Sequence, residues 1–195
     1  MKFLKIVLLG GACAALSAPA FGQVGMGSDS EQFITAVQKG DGSATTQLVA
    51  DHPTIVNTKD SKGDTALIIA IARRDPEFTG FLLSKGADPN LAGAGGDTPL
   101  IEAARLGFDD AAEWLIELHA KVDGTNRMGE TPLIIAVQQR DLRMVRTLLA
   151  AGADPDVHDA AAGYSARDYA KRDPRARDIL RLIDQAKPAG GSAAN

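Results

Sequence analysis

Apolar residues recur along this chain in pairs of short segments, and each pair is followed by a polar stretch rich in glycine, aspartate and proline. In "DDAAEWLIEL" at 109–118, large apolar residues stand three and four positions apart, which is the spacing of one face of an α-helix. "EFTGFLLSK" at 77–85 and "LRMVRTLLAA" at 142–151 show the same spacing. A shorter, alanine-rich segment precedes each of them. The pattern predicts an all-α chain built from helix pairs.

One opening phrase begins three of these pairs at a constant step. "GDTALIIAIARR" starts at Gly63, "GDTPLIEAARLG" at Gly96 and "GETPLIIAVQQR" at Gly129, so the two steps between copies are equal. A degenerate fourth copy, "GYSARDYAKRDP", starts at Gly163. A period of about 33 residues is the signature of a stacked repeat array.

The residues at the helix ends agree with this pattern. Thr98 is suited to cap a helix with its hydroxyl, and Pro99 is suited to the first helical position, where its missing N–H is not needed. Gly86 and Gly152 favour the left-handed conformation that ends a second helix. His119 stands midway between them, where the repeat places the corresponding residue of the middle unit. We therefore expect a positive φ at His119, at some energetic cost.

These phrases resemble the ankyrin repeat, whose period, threonine-proline-leucine opening and glycine-alanine-aspartate close are all present. The resemblance implies an ankyrin-type α-solenoid of stacked helix-turn-helix repeats with projecting loops. It predicts ankyrin repeats at 60–92, 93–125 and 126–158, between a degenerate N-terminal capping repeat at 28–59 and a degenerate C-terminal capping repeat at 159–187.

The apolar positions depart from the family at one place. Ankyrin repeats usually place a histidine two residues after the proline, where it ties loops together, and Ile68, Ile101 and Ile134 stand there instead. We expect apolar packing to replace those ties. Trp114 begins the apolar face of its second helix, so we expect it to lie in the core.

The first residues precede the repeats and are typical of an export signal. Lys2 and Lys5 flank the start of a short apolar stretch, and "APA" at 18–20 is a small-residue cleavage site. We expect 1–20 to be a cleaved signal peptide and 21–27 to be a linker. The protein is then periplasmic or secreted, and it has no membrane insertion after cleavage.

The only cysteine, Cys13, lies inside this signal. Lipoprotein anchoring through Cys13 is the alternative, which is disfavoured because Gly10 replaces the usual branched residue and the apolar core before it is very short. Cleavage after Ala20 is expected, with Gly22 as the second choice. The stretch 188–195 has no periodicity, and we expect it to be disordered.

The charge narrows the choice of partners. The chain has 21 Lys plus Arg against 25 Asp plus Glu, a net charge of −4, and losing the two signal lysines makes the mature chain more acidic. Mild acidity argues against nucleic acid or an anionic membrane as a partner. We expect a monomer that binds a protein.

The resemblance implies a non-catalytic scaffold that binds a protein partner through its concave face and loop tips. In ankyrin arrays the contacting positions are the loop tips and the solvent side of each first helix. Matched position by position, the predicted protein-binding residues are Ser61, Lys62, Asp64, Ala72, Arg73, Asp97, Arg105, Leu106, Arg127, Met128, Glu130, Gln138, Gln139 and Tyr164. Some exported bacterial ankyrin proteins are associated with catalase, so the alternative is a periplasmic accessory protein supporting peroxide defence.

An enzyme is the other class considered. Nothing in the chain resembles a nucleophile elbow, a phosphate loop or a zinc motif. The glycine-rich stretch 93–96 has Asp97 at its mouth and no lysine in the P-loop place, so it predicts a loop tip. His52, His119 and His158 are too widely spaced for a shared metal site. We therefore expect no catalytic residue, no cofactor and no bound metal.

Overall fold

The computed structural model describes residues 28–186, which form ten α-helices in five pairs. The pairs are α1 (Asp29–Lys39) with α2 (Gly42–Asp51), α3 (Ala66–Ala72) with α4 (Pro76–Ser84), α5 (Pro99–Leu106) with α6 (Asp109–Glu117), α7 (Pro132–Gln139) with α8 (Leu142–Ala150), and α9 (Ala166–Arg172) with α10 (Arg177–Gln185). The expected signal, linker and C-terminal tail lie outside the described residues.

The prediction of an all-α solenoid is confirmed within this range. Only isolated antiparallel bridges, Lys59 with Thr65 and His158 with Ser165, occur among residues 28–186, and no strand forms there. Short 3-10 turns interrupt the connections at Pro53–Asn57, Ala94–Gly96 and Pro174–Ala176.

The first helices begin at the residues that the repeated phrase predicts. Thr98, which has an extended backbone, caps α5: its hydroxyl accepts a hydrogen bond from the Ile101 N–H at 3.2 Å. Thr131 caps α7 through the same contact to Ile134. Ser165 replaces threonine before α9 and forms a reciprocal capping box with Asp168. Each cap satisfies N–H groups that have no partner within the helix.

The helices form two layers. In one, α1, α3, α5, α7 and α9 pack in order; in the other, α4, α6, α8 and α10 do the same. Ala103, Ala104 and Ala136 are completely buried, and their small side chains let adjacent first helices approach closely. The core is mainly apolar, and its largest fully buried side chains are Phe33, Leu67, Ile71, Leu82, Leu100, Ile101, Leu115, Leu133, Ile134, Ile135, Met144 and Leu148.

The loops are tied together by polar side chains as well as by packing, which corrects the expectation of apolar replacement alone. Ile68, Ile101 and Ile134 are indeed buried. A periodic set of Asn and Asp side chains, however, binds the backbone of the next repeat. Each accepts a hydrogen bond from a backbone N–H of that repeat: Asn57 from Asp88 at 2.8 Å, Asn90 from Lys121 at 2.7 Å and Asp123 from Asp154 at 3.0 Å.

The expectation that Trp114 lies in the core is confirmed only in part. Its side chain packs against the core but is only partly buried. The neighbouring helix α4 presents Gly80 to it, where a Cβ atom would lie 3.9 Å from Cζ3 of the ring. Because glycine has no side chain, the ring is left partly uncovered.

Left-handed residues end both kinds of helix. His119 has φ +63°, between Gly86 at +86° and Gly152 at +90°, as predicted. Arg74 and Arg140 also have positive φ, at +52° and +55°, which the sequence analysis did not foresee. Arg140 forms an ion pair of 3.0 Å with Asp173 of the next repeat. Arg74 likewise donates to the Gly107 carbonyl, in the repeat that follows its own.

We predict that His119→Gly raises the free energy of unfolding by about 0.5–1 kcal/mol, because glycine adopts this φ without steric strain. Urea denaturation followed by circular dichroism measures the change. Glu117→Gly, in the last turn of α6, is the control and lowers stability by about 1 kcal/mol, since glycine is unfavourable inside a helix. A loss of stability in His119→Gly would contradict the claim that the positive φ strains His119.

Candidate functional site

The predicted protein-binding residues all lie on one side of the molecule or at its tips. We call this surface the first-helix face: the solvent side of α3, α5, α7 and α9 with the hairpin tips before them. Eight of these residues are exposed, namely Ser61, Lys62, Ala72, Arg73, Arg127, Met128, Gln138 and Gln139. Six are half-buried, namely Asp64, Asp97, Arg105, Leu106, Glu130 and Tyr164.

A groove of about 760 Å³ lies on the N-terminal half of the first-helix face. Apolar atoms from α3 and polar side chains from α1, α3, α5 and the hairpin tips line it together. The lining residues are Gln38, Asp60, Lys62, Asp64, Ile68, Ile69, Ala72, Arg73, Ala94, Asp97 and Glu102. The groove therefore combines apolar surface with five of the predicted residues. It also contains four carboxylates, of which Asp64 and Asp97 are among those five.

Two of the predicted acidic residues hold the adjacent hairpin in place. Asp64 Oδ1 accepts a hydrogen bond from the Ala94 N–H at 2.8 Å. A Cβ atom on Gly93 would lie 2.5 Å from the same oxygen, so this approach requires glycine there. Asp97 Oδ1 accepts from the Asn126 amide at 2.9 Å and from Arg105 Nη2 at 3.1 Å. These contacts position the hairpin tips that carry the exposed residues.

Asn126 organises the hairpin that presents Arg127 and Met128. Its Oδ1 accepts hydrogen bonds from the Met128 and Glu130 N–H groups at 2.9 and 3.0 Å. Its Nδ2 donates to Asp97 Oδ1 and to Glu130 Oε2, both at 2.9 Å. Every polar atom of this buried side chain is thus used to fix the tip.

Backbone hydrogen bonds also join neighbouring tips. The Arg127 N–H donates to the Gly95 carbonyl at 3.2 Å, and the Ala160 N–H donates to the Met128 carbonyl at 2.7 Å. The Met128 side chain remains 50% exposed, which makes it one of two exposed large hydrophobic residues in the described part of the chain. The stack of tips is therefore an ordered surface with an apolar side chain at its centre.

Glu102 is a groove residue that the sequence analysis did not select. Its side chain is 17% exposed, and burial raises its pKa. Arg105, whose Nε lies 3.7 Å from the carboxylate, opposes that rise, while the charges of Asp97 and Asp64 add to it. The carboxylate is available to accept a hydrogen bond from a bound group. The equivalent residues Ile69 and Ile135 are apolar, so the periodicity did not indicate Glu102.

An aromatic cluster occupies the C-terminal end of the face. The Tyr164 and Tyr169 rings meet edge to face with centroids 5.6 Å apart, and the Arg172 guanidinium lies 4.4 Å from the Tyr164 centroid. Arg172 was also missed, although it stands one repeat period after Gln139. A cation stacked on a half-buried tyrosine is typical binding-surface chemistry.

Hydrogen bonds at this end perturb two ionisable groups. The Tyr169 hydroxyl donates to Asp159 Oδ2 at 2.5 Å, and this bond, with burial, raises the pKa of Tyr169. Burial tends to raise the pKa of Asp159, but the bond from Tyr169 and those from backbone N–H groups, including Ala162 and Gly163, outweigh it and lower that pKa. Asp159 is therefore a structural anion that anchors the last hairpin.

The paired helices, hairpin tips and constant period together define a solenoid of helical repeats. The chain belongs to the ankyrin-repeat family: the family model described as "Ankyrin repeats (3 copies)" matches residues 33–126 and again 81–159. Ankyrin repeats generally mediate protein–protein interaction and are typically non-catalytic. Within residues 28–186, no helix is both long and apolar enough to cross a bilayer.

Several curated proteins are similar to this chain. The ANK repeat-containing protein nipk-1 of Caenorhabditis elegans is 29% identical over 66% of the chain and 24% of its own length. A putative ankyrin repeat-containing protein of Treponema pallidum is 30% identical over 72% of the chain and 47% of its own length. The human transient receptor potential cation channel subfamily A member 1 is 33% identical over 56% of the chain and 11% of its own length. The chain spans less than half the length of each.

We predict that Asn126→Ala lowers the free energy of unfolding by about 2–3 kcal/mol, because it leaves the N–H groups of Met128 and Glu130 without their acceptor. Asn90→Ala is the control: it removes the acceptor of a single backbone N–H, that of Lys121, and a long bond of 3.5 Å to the His119 carbonyl, and its cost is about 1 kcal/mol. Urea denaturation compares the two variants. Equal costs would show that the Asn126 network does not organise the hairpin.

Proposed function

We propose that this protein is a non-catalytic scaffold that binds a protein partner through its first-helix face. The observation that supports this most strongly is the combination, on one surface, of an ordered row of hairpin tips with a groove of about 760 Å³. Rigid tips bind with little loss of conformational freedom, which favours affinity. The partner lies across several repeats, because the predicted positions recur in each and are mostly exposed in the repeats 60–92 and 126–158.

Different parts of the face offer different chemistry to that partner. Met128 supplies exposed apolar area at the centre, and Tyr164 under Arg172 supplies an aromatic and cationic anchor at one end. Such residues dominate binding energies, whereas most surrounding contacts contribute little. Lys62 and Gln139 are exposed polar groups of the same face. They favour a polar rim around a small apolar centre.

The same contacts favour binding over catalysis. Asp64 and Asp97, at the mouth of the groove, accept hydrogen bonds from Ala94 and Asn126 that hold the fold together. Their Oδ1 atoms thus serve as structural acceptors, a different role from that of a general base, which takes a proton from a substrate. We therefore assign these carboxylates to positioning.

The test compares two triple variants in affinity capture from an extract of the native host. Lys62→Ala, Met128→Ala and Gln139→Ala together remove exposed groups from the first-helix face. We expect this variant to capture at least about tenfold less of the partner than the wild type does, because truncating anchor residues removes much of the binding energy.

The control variant combines Gln47→Ala, Arg146→Ala and Arg177→Ala, all exposed residues of second helices. It should retain the partner at the wild-type level, and both variants should unfold at wild-type urea concentrations. The proposal is wrong if all three proteins retain the same partners in the same amounts, or if only the control variant loses them.

A further inference from the structure

A second apolar groove lies on the opposite layer, between the parallel helices α4 and α6. It is a shallow, open groove of about 310 Å³ lined by Gly80, Leu83, Ser84, Trp114, Glu117 and Leu118. Leu118 is 47% exposed, and with Met128 it is one of the two exposed large hydrophobic residues among residues 28–186. Trp114 contributes a partly uncovered ring. We call this surface the Trp114 groove.

Gly80 opens the groove, and the fold does not require a glycine at this position. It lies inside α4, where glycine is the least favourable residue after proline. Its φ is not in the left-handed region, and a Cβ atom would meet Trp114 at 3.9 Å, an ordinary van der Waals contact. The equivalent positions of the next two repeats carry the long side chains of Glu113 and Arg146. The missing side chain therefore has one evident consequence: access to the Trp114 ring.

The helices beside the groove are strongly acidic. Together α4 and α6 contain five Asp or Glu residues and no Lys or Arg, and the single cation at their capping positions is Lys85, which caps α4 and lies over the Phe81 ring, 5.6 Å from its centroid. Arg143 of α8 pairs with Asp109 at 3.2 Å and with Glu113 at 3.8 Å, on the side of α6 away from α4. The remaining three, Glu77, Asp110 and Glu117, are exposed. A bound segment with basic residues flanking its apolar side would meet complementary charge.

We propose that the Trp114 groove docks an amphipathic helix of a partner protein, with apolar residues on one side and Lys or Arg flanking them. The lining residues extend over about one turn of each helix, from Gly80 to Ser84 and from Trp114 to Leu118, so about one turn of a third helix packs into the groove. An apolar side chain of that helix fills the space beside Gly80 and covers the Trp114 ring.

The charges also disfavour other occupants. A second copy bound through a two-fold axis would place its own acidic α4 and α6 against these, so like charges would face each other. An anionic membrane surface meets the same repulsion. This docking surface is separate from the first-helix face, so each of the two proposals is testable without the other.

Trp114 is the only tryptophan in the chain, which makes its fluorescence a direct report on the groove. The probes are two synthetic helical peptides with the same leucine face, one flanked by lysines and the other by glutamates. We expect the lysine peptide to bind saturably, by anisotropy of a labelled peptide, and to shift Trp114 emission to shorter wavelength. Its affinity should fall with added salt, and the glutamate peptide should bind at least about tenfold more weakly.

Gly80→Gln is the decisive variant, because it fills the groove while giving α4 a better helix former. It should keep the fold and weaken the lysine peptide at least about tenfold. Ala50→Gln, at an exposed position of α2, is the matched control and should bind like the wild type. The triple variant of the first-helix face should also bind like the wild type.

Several results would overturn the proposal. They are the absence of saturable binding, equal affinity for the two peptides, and a Gly80→Gln protein that binds normally. Loss of the peptide in the first-helix-face variant would place the peptide on the other surface. A concentration-dependent dimer of the wild type that Gly80→Gln abolishes would identify a second copy as the occupant.

Discussion

Helices of seven to eleven residues are too short to persist alone in water, and every α-helix among residues 28–186 falls within these lengths. Each pair also has an apolar side that it cannot cover by itself. Stacking solves both problems, because neighbouring first helices bury their alanine-rich sides against one another and the second helices do the same in their own layer. The structure is therefore held together by contacts between units.

This dependence explains where the polar contacts lie. The Asn57, Asn90 and Asp123 bonds, the Asp97 to Asn126 bond and the Arg140 to Asp173 ion pair each join one repeat to the next. They fix the register of the stack, and they also make the hairpin tips rigid. A binding surface assembled from several repeats thus inherits its order from the same contacts that stabilise the fold.

Features that repeat, or that depend on nearby residues, could be predicted from the sequence. The helix pairs and the positive φ of His119 follow from the repeat period, and the Thr98 cap follows from the residues next to it. Trp114 could not be placed in the same way, since its exposure depends on Gly80 of another helix. The hydrogen bonds of Asp64 and Asp97 could not be predicted for a similar reason, because their partners lie in the following repeat.

The candidate site shows the same division. The repeat period located eight exposed positions and six half-buried ones, and applying it fully would have added Arg172. It could not distinguish side chains that hold a hairpin from those that face solvent, because that depends on distances across repeats. The acidic character of α4 and α6 was readable from the sequence, whereas the groove between them required the packed structure.

The helices of each repeat are stabilised by contacts with the neighbouring repeats, and circular dichroism of one isolated repeat tests this most directly. A peptide covering 93–125 should be largely unstructured in buffer and should lose its residual signal gradually on heating, while the whole chain should be helical and unfold in a cooperative transition. A repeat peptide with native-like helix content and its own cooperative melting would contradict the account.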